Sequence, residues 1–258
     1  MTLSEKGLRG IPLDDVFVFD AHAHVGPRCE IDRDVSPSRL LANMDAIGID
    51  VTCAMAFTPS AGATLSRHND FVCHFISNSP GRLKGYCWVN PNYPEFMEKE
   101  LARCFDELGF SGIKLHTHPR HPYDGPRYAP MYEFANARRL PILAHTWGDD
   151  WLRQFAAMAR KYPDATFLAA HTGGGDIKVS VEEAKRTPNL YLELCLSAGT
   201  PYEVEYLVKE VGAARLVWGS DQVLISPAHQ IGRVIFADIS EDDKREILGE
   251  NARRVFKL

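Results

Sequence analysis

The chain has 258 residues, 45% of them hydrophobic and 24% charged, with 29 Lys+Arg against 34 Asp+Glu and a formal net charge of −5. That apolar content excludes a disordered chain, and the acidic balance excludes a general nucleic-acid binder, whose phosphate contacts need a basic face. No run approaches the ~20 apolar residues of a membrane span.

Short apolar, often β-branched runs alternate with helical patterns along the chain. Strands are expected over Val16–Ala23, Val51–Phe57, Leu83–Val89, Gly112–His116, Pro141–His145, Thr166–Ala170, Leu190–Leu194 and Arg215–Trp218. Helices are expected over Ser38–Ile47, Ser66–Ser77, Glu95–Leu108, Ala129–Arg139, Asp150–Lys161, Val179–Lys185, Pro201–Val211 and Ala228–Phe236. A last helix, Glu241–Phe256, carries a break at Gly249. Each strand–helix unit takes about 32 residues, the size of a βα repeat. Strict alternation implies a parallel sheet with helices outside it, and eight units favour a (β/α)8 TIM barrel of the α/β class. The expectation is one domain over residues 1–258, with a C-terminal helical extension. An open doubly wound sheet would want G-x-G-x-x-G in its first turn, and that motif is missing there.

The polar opening MTLSEKGLRG lacks the apolar core of a signal peptide, which points to the cytoplasm. Six widely spaced cysteines (29, 53, 73, 87, 104 and 195), with no C-x-x-C pair, suit the same reducing compartment. Apolar runs such as YCWV and LELCLS read as places where cysteine is a small buried hydrophobe. Histidine says more. Seven of the ten fall at or just beyond expected strand ends.

The first strand ends in Asp20-Ala-His22-Ala-His24. Alternation puts His22 and His24 on one face about 6.6 Å apart, where two imidazoles can share a metal ion. Asp20 falls on that same face by alternation, either beside a ligand or in a plain structural hydrogen bond. His145 closes the fifth strand, His171 the sixth, and Asp221 follows the eighth. Their spacings from His24 onward, 121, 26 and 50 residues, are close to whole numbers of units. All five groups therefore reach the same rim, the C-terminal end where barrel active sites lie. Any one of them alone reads as a satisfied core or loop residue. Together, unpaired in a partly buried mouth, they would cost a few kcal/mol each, a cost that a bound metal removes.

The set DAHAHVG, GIKLH, PILAH, FLAAHTGGG, LVWGSD and ENARRVF resembles the amidohydrolase superfamily. The likeness is to its amidohydrolase-related branch, which includes aminocarboxymuconate-semialdehyde decarboxylase-like enzymes. The resemblance implies a distorted barrel holding one divalent metal, most often Zn2+ and sometimes Mn2+. By matching positions it implies His22, His24, His145 and Asp221 as ligands, with His171 as an acid/base residue. Asp221 would also take a proton from a metal-activated water. Binuclear members bridge two metals through a carboxylated lysine, and Lys114, with His145 and His171, matches that layout. GIKLH equally matches the mononuclear pattern, in which Lys114 and His116 line the pocket. Some decarboxylases of the branch carry glutamate at the first position of H-x-H; here it is His22, so that signature of aromatic-acid decarboxylation is absent. A proline commonly follows the last aspartate by a couple of positions; here the run is Gln222-Val223-Leu224, a departure that bears on the loop shape more than on the ligand.

Arg28 and Arg120 follow strand ends on the catalytic side and are candidates to clamp a substrate carboxylate, or else plain surface arginines. His118 and His121 read as parts of a proline-stiffened loop, and Trp147 and Trp218 as pocket walls or core. The glycines at 173–175 read as a tight helix entry capped by Asp176. Ser220 lacks the base and orienter of a serine nucleophile. The short loops TPSAGAT and NPNYP imply a small substrate or an open mouth. The reading is a metal-dependent hydrolase acting on a C–N or C–O bond of a small, carboxylated molecule. The alternative is a lyase of the same branch, a decarboxylase or hydratase, and a third reading is a barrel that binds metal or ligand without catalysis. A small molecule is the expected partner, and apolar helix faces are compatible with a homo-oligomer.

Overall fold

The computed structural model describes residues 1–26, 36–57, 65–195, 199–222 and 224–258. Eight strands follow one another around a single sheet in chain order. They are β1 (Phe19–Val25), β2 (Val51–Ala56), β3 (Leu83–Trp88), β4 (Gly112–Leu115), β5 (Pro141–His145), β6 (Thr166–Ala170), β7 (Leu190–Glu193) and β8 (Leu216–Val217). Each pairs in parallel with the next. The ring closes between β1 and the segment after β8: Ala21 N–H donates to Trp218 O at 3.1 Å and Asp221 N–H to His22 O at 2.7 Å. A parallel bridge joins Ala23 to Gln222. The fold is the (β/α)8 barrel that the alternation implied.

The outer helices are α1 (Leu3–Leu8), α2 (Pro37–Ile47), α3 (Leu65–Ile76), α4 (Pro94–Ala102), α5 (Ala129–Arg138), α6 (Asp149–Lys161), α7 (Ile177–Arg186), α8 (Glu203–Val211) and α9 (Pro227–Ile235). Proline opens α2, α4 and α9, where its missing N–H costs nothing and its fixed φ suits the first turn. The helix α1 went unforeseen although its signal is local. Thr2 and Glu5 form a reciprocal capping box, and Leu3 is buried behind it. Among the described residues no helix is long and apolar enough to cross a membrane.

Two apolar layers form the core. Between sheet and helices lie residues such as Ala54, Ile113, Ile142 and Phe167, with Leu101, Phe155 and Val234 from the helices. Inside the barrel lie Phe19, Ala21, Cys53, Tyr86, Leu143, Leu168 and Val217, joined by Ala252, Val255 and Phe256 of the C-terminal helix. That tail runs as α10 (Glu241–Arg245), a π turn (Glu246–Glu250) and α11 (Asn251–Phe256). The expected break at Gly249 is this π turn. A Cβ there would come within 2.0 Å of Phe17 O, so only glycine lets the tail approach so closely. The same turn presents Ile247 O to the Trp218 N–H at 3.0 Å. This diverted bond is why β8 is only two residues long rather than running to Trp218.

Candidate active site

Strand β1 delivers both histidines to the barrel mouth, and not by plain alternation. Its register against β2 shifts between Asp20 and Ala23. Phe19 and Ala21 belong to the inner layer, whereas Ala23 and Val25 belong to the outer one. The shift turns His22 and His24 inward above Ala21 and takes Asp20 off their face, contrary to what alternation alone predicts. Asp20 is buried and accepts from His22 N at 3.1 Å, Ser220 N at 2.8 Å, Ser220 Oγ at 2.6 Å and Gln222 Nε2 at 2.9 Å. Burial pushes its carboxyl up to about 6 against those bonds. Asp20 thus stitches β1 to the segment carrying Asp221 and touches no imidazole ring. Ser220 is part of that stitch, as its lack of a base implied. Gln222 supplies the bridge to Ala23 and an N–H to Ser220 Oγ at 3.0 Å.

His22, His24 and Asp221 converge. His22 Nε2 lies 3.3 Å from His24 Nε2, and Asp221 Oδ1 lies 3.2 Å from His24 Nε2 and 3.6 Å from His22 Nε2. All three residues are buried, and Asp221 Oδ1 has no well-formed hydrogen bond among the described residues. Burial, joined by the Lys114 charge, holds His22 well below its ordinary value, and burial likewise lowers His24, so both rings are neutral and offer lone pairs. Burial raises the Asp221 carboxyl, but His24, His171 and Lys114 outweigh it, leaving an anion. Two neutral imidazoles and a carboxylate, with one buried oxygen unsatisfied, fit a divalent cation. Asp221 adopts φ +54°, a left-handed conformation that a free chain avoids and that aspartate tolerates better than most residues.

Around this trio stand the other candidates. Lys114 on β4 is buried, with Nζ 3.2 Å from His22 Nε2, and burial lowers it to about 8. His171 Nε2 lies 3.0 Å from His145 Nδ1. His171 Nδ1 lies 3.0 Å from Cys195 O, which can only accept, so Nδ1 carries the hydrogen. His171 Nε2 then accepts from His145 Nδ1–H, which leaves His145 Nε2 with its lone pair. Burial holds His171 down to about 4 and His145 to about 2. His171 and Thr172 both have positive φ, a strained pair costing about 1–3 kcal/mol each that aims the imidazole inward. His116 stacks on His145 with ring centroids 4.4 Å apart, a wall rather than a neighbour of the trio.

Trp147 is 43% exposed and stands edge-on to His171, whereas Trp218 is fully buried core. Gly174 has positive φ, and a Cβ there would meet Trp147 Cα at 2.9 Å, so the glycine run lets the β6 loop approach Trp147 closely while Asp176 caps α7. Trp147, His171, Thr172, Thr200 and Glu203 line a cavity of about 320 Å³, and His171, whose ring lies 5.4 Å from that of His22, links it to the trio. His118 and His121 stack at 4.5 Å and share Asn92, as expected of a stiffened loop. Arg120 is exposed on that loop. Arg28 lies outside the described residues, as does the run TPSAGAT.

Two residues escaped the sequence reading. Glu193 on β7 is fully buried and its Oε2 accepts from His22 Nδ1 at 3.1 Å. Cys195 follows, its N–H and Sγ both donating to Glu193 at 2.8 Å. Burial pushes Glu193 up to about 8. An acid and a thiol two residues apart inside the apolar run LELCLS were the available signal: by alternation both face the barrel interior.

A family model described as amidohydrolase (Amidohydro_2) matches residues 19–258. A curated gamma-resorcylate decarboxylase of Polaromonas sp. strain JS666 is 25% identical over 260 residues, covering 80% of this chain and 79% of its own. The crystal structure of a 2,6-dihydroxybenzoate decarboxylase with 2,6-dihydroxybenzoate superposes with a TM-score of 0.76 at 18% identity, covering 95% of this chain and all of that one. A dihydroxybenzoic acid decarboxylase of Polaromonas sp. JS666, with bound manganese and 2-nitroresorcinol, gives 0.76 at 20% identity over 94% of this chain and 97% of that one. At these identities the superpositions show the shared fold.

Proposed function

The chain belongs to the amidohydrolase family, and from that premise we propose that it is a metal-dependent lyase removing the carboxylate of a small hydroxylated aromatic acid. It is an enzyme of that superfamily; the lyase reading takes the place of the hydrolysis expected first from its motifs. What carries it is the run of relatives, above all the gamma-resorcylate decarboxylase aligned along four-fifths of the chain. The site supports it through Lys114, a buried cation beside neutral histidines, suited to a substrate carboxylate or phenolate. His22, whose place some decarboxylases of the branch fill with glutamate, is compatible with this reading, since a neutral imidazole is also a metal ligand.

The residues that would hold the metal are His22, His24 and Asp221, with His145 Nε2 as a fourth donor. Manganese, held by the Polaromonas relative, is our assignment in place of zinc. When bound, the ion supplies positive charge and a fixed position for substrate oxygens. Glu193 holds the His22 Nδ1 proton, so that Nε2 faces the mouth. Loss of CO2 breaks the bond between ring carbon and carboxylate, and the vacated carbon needs one proton. His171 Nε2, once it has taken a proton from solvent through the cavity that His171 lines, would deliver it, because Nδ1 is tied to Cys195 O. Between turnovers His145 Nδ1–H holds the unprotonated Nε2 in place across 3.0 Å. Trp147 covers the aromatic plane at the cavity edge.

The test is to incubate manganese-loaded protein with 2,6-dihydroxybenzoate and related hydroxybenzoates, measuring CO2 and the decarboxylated phenol. We expect metal-dependent release of both in equal amounts, with Lys114→Met raising KM about tenfold or more. No CO2 from any hydroxybenzoate, together with a new acid group from an amide, ester or lactone panel, would return the assignment to hydrolysis.

A further inference from the structure

His22 has two ring nitrogens, and only Nε2 faces the mouth. Behind the ring, Nδ1 looks into a second group of donors. Cys195 Sγ lies 3.1 Å from His22 Nδ1, 3.3 Å from His171 Nδ1 and 2.8 Å from Glu193 Oε2. Glu193 Oε2 closes the group at 3.1 Å from His22 Nδ1. Three of these residues are fully buried and His171 nearly so. His22, His171 and Cys195 present ligand atoms all within 4.8 Å of one another, as His22, His24 and Asp221 do on the other side.

We propose that this back pocket is a second, thiolate-containing cation site, selective for soft divalent ions such as cadmium or zinc. The donor chemistry argues for it. One sulfur, two imidazole nitrogens and a carboxylate oxygen make a tetrahedral soft-metal set, whereas His22, His24 and Asp221 at the mouth offer nitrogen and oxygen. Tetrahedral zinc has ligand-to-ligand edges of roughly 3.4–3.6 Å, so the four donor pairs given above, 2.8–3.3 Å apart, need to open by less than an ångström. Access lies past His171, which lines the 320 Å³ cavity. Binding sends the Cys195 thiol proton and the proton held by Glu193 to solvent, while His22 and His171 lose their Nδ1 protons and take one up on Nε2 instead.

The two sites share His22. A neutral imidazole has one lone pair, so a cation at Nδ1 draws on the donor that the mouth site uses at Nε2. Filling the back pocket therefore opposes filling the mouth and also takes His171 from proton transfer. This inhibitory consequence rests on the function proposed above; the binding itself does not.

Titration of the metal-free protein with cadmium decides it, read as ultraviolet thiolate-to-cadmium absorption and as cadmium bound per chain. Wild type should develop the band to saturation at one equivalent. Cys195→Ser should remove the band and that equivalent. No band in wild type, or a band persisting in Cys195→Ser, overturns the site. Should Cys195→Ser fail to fold, His171→Gln leaves the thiol in place and must weaken the band's titration about tenfold or more; an unchanged titration overturns the proposal equally. No turnover enters these readouts, so cadmium binding stands or falls independently of the decarboxylase assignment.

Discussion

The two ends of the barrel are built from the same strands and do opposite things. At the floor, Phe19 stacks on Phe256 at 4.6 Å, Tyr86 meets Phe256 edge-on, and Tyr86 OH donates to Ala21 O at 2.8 Å. At the mouth, a few residues further along, the inner face turns polar: Leu143 gives way to His145 on β5, and Tyr191 to Glu193 and Cys195 beyond β7. The floor is finished by the C-terminal helix, whose apolar face closes one end. The mouth holds neutral imidazoles and one orphaned carboxylate oxygen, an arrangement that burial alone makes costly. Stability is therefore concentrated at one end and chemistry at the other.

The contrast can be broken from either side. Asp221→Asn keeps a residue tolerant of left-handed backbone and removes the charge. We expect turnover and metal affinity to fall more than about 100-fold, since even outer partners of a metal cost about 10–100-fold, while Tm holds or rises. Metal content by mass spectrometry and calorimetry check it together. Phe256→Ala should do the reverse, costing about 3–5 kcal/mol of stability in a denaturant titration, with metal content per folded chain unchanged. Equal damage to both properties by both variants would dissolve the division between the two ends.

Smaller effects sharpen it. Glu193→Gln leaves His22 bonded but loosens its orientation, and manganese affinity should drop about 10–100-fold in a competition assay, with the fold intact. The smallest expected effect lies outside both ends. His68 faces the Trp88 ring at 5.3 Å with Nε2 unpartnered among the described residues, and burial lowers it to about 4. The unfolded chain takes up this proton near pH 6.5, before the folded one does, so its neutral burial stabilises the fold above that pH. That contribution is lost as pH falls towards about 4. His68→Phe should reduce the fall in Tm between pH 6.5 and 4 by a few degrees, measured on metal-free protein. An identical acid slope in the variant would show that His68 does not contribute to it.

Much of the site was legible because parallel strands impose a period. His145 ends β5 and His171 directly follows β6, in the sequence as in the fold, since a residue at a strand's C-terminal end reaches the rim whatever surrounds it. His22 and His24 were legible as a pair. Plain alternation reaches their inward direction without the register shift that produces it, and Asp20 exposes the difference, because its partners sit 200 residues away. Glu193 was hidden in an apolar run, since its purpose appears only when His22 is brought across the barrel from 171 residues away.

The sequence by itself determined the alternation of elements, the parallel barrel and the rim on which polar strand ends gather, because periodicity and strand direction are local properties of the chain. Only the tertiary structure decided that His22, His24 and Asp221 meet within hydrogen-bond range or close to it, and that Glu193 and Cys195 stand behind His22. Those contacts depend on barrel closure, on the shift within β1 and on the left-handed backbone at Asp221. Each is a long-range consequence of packing, and no local pattern encodes it.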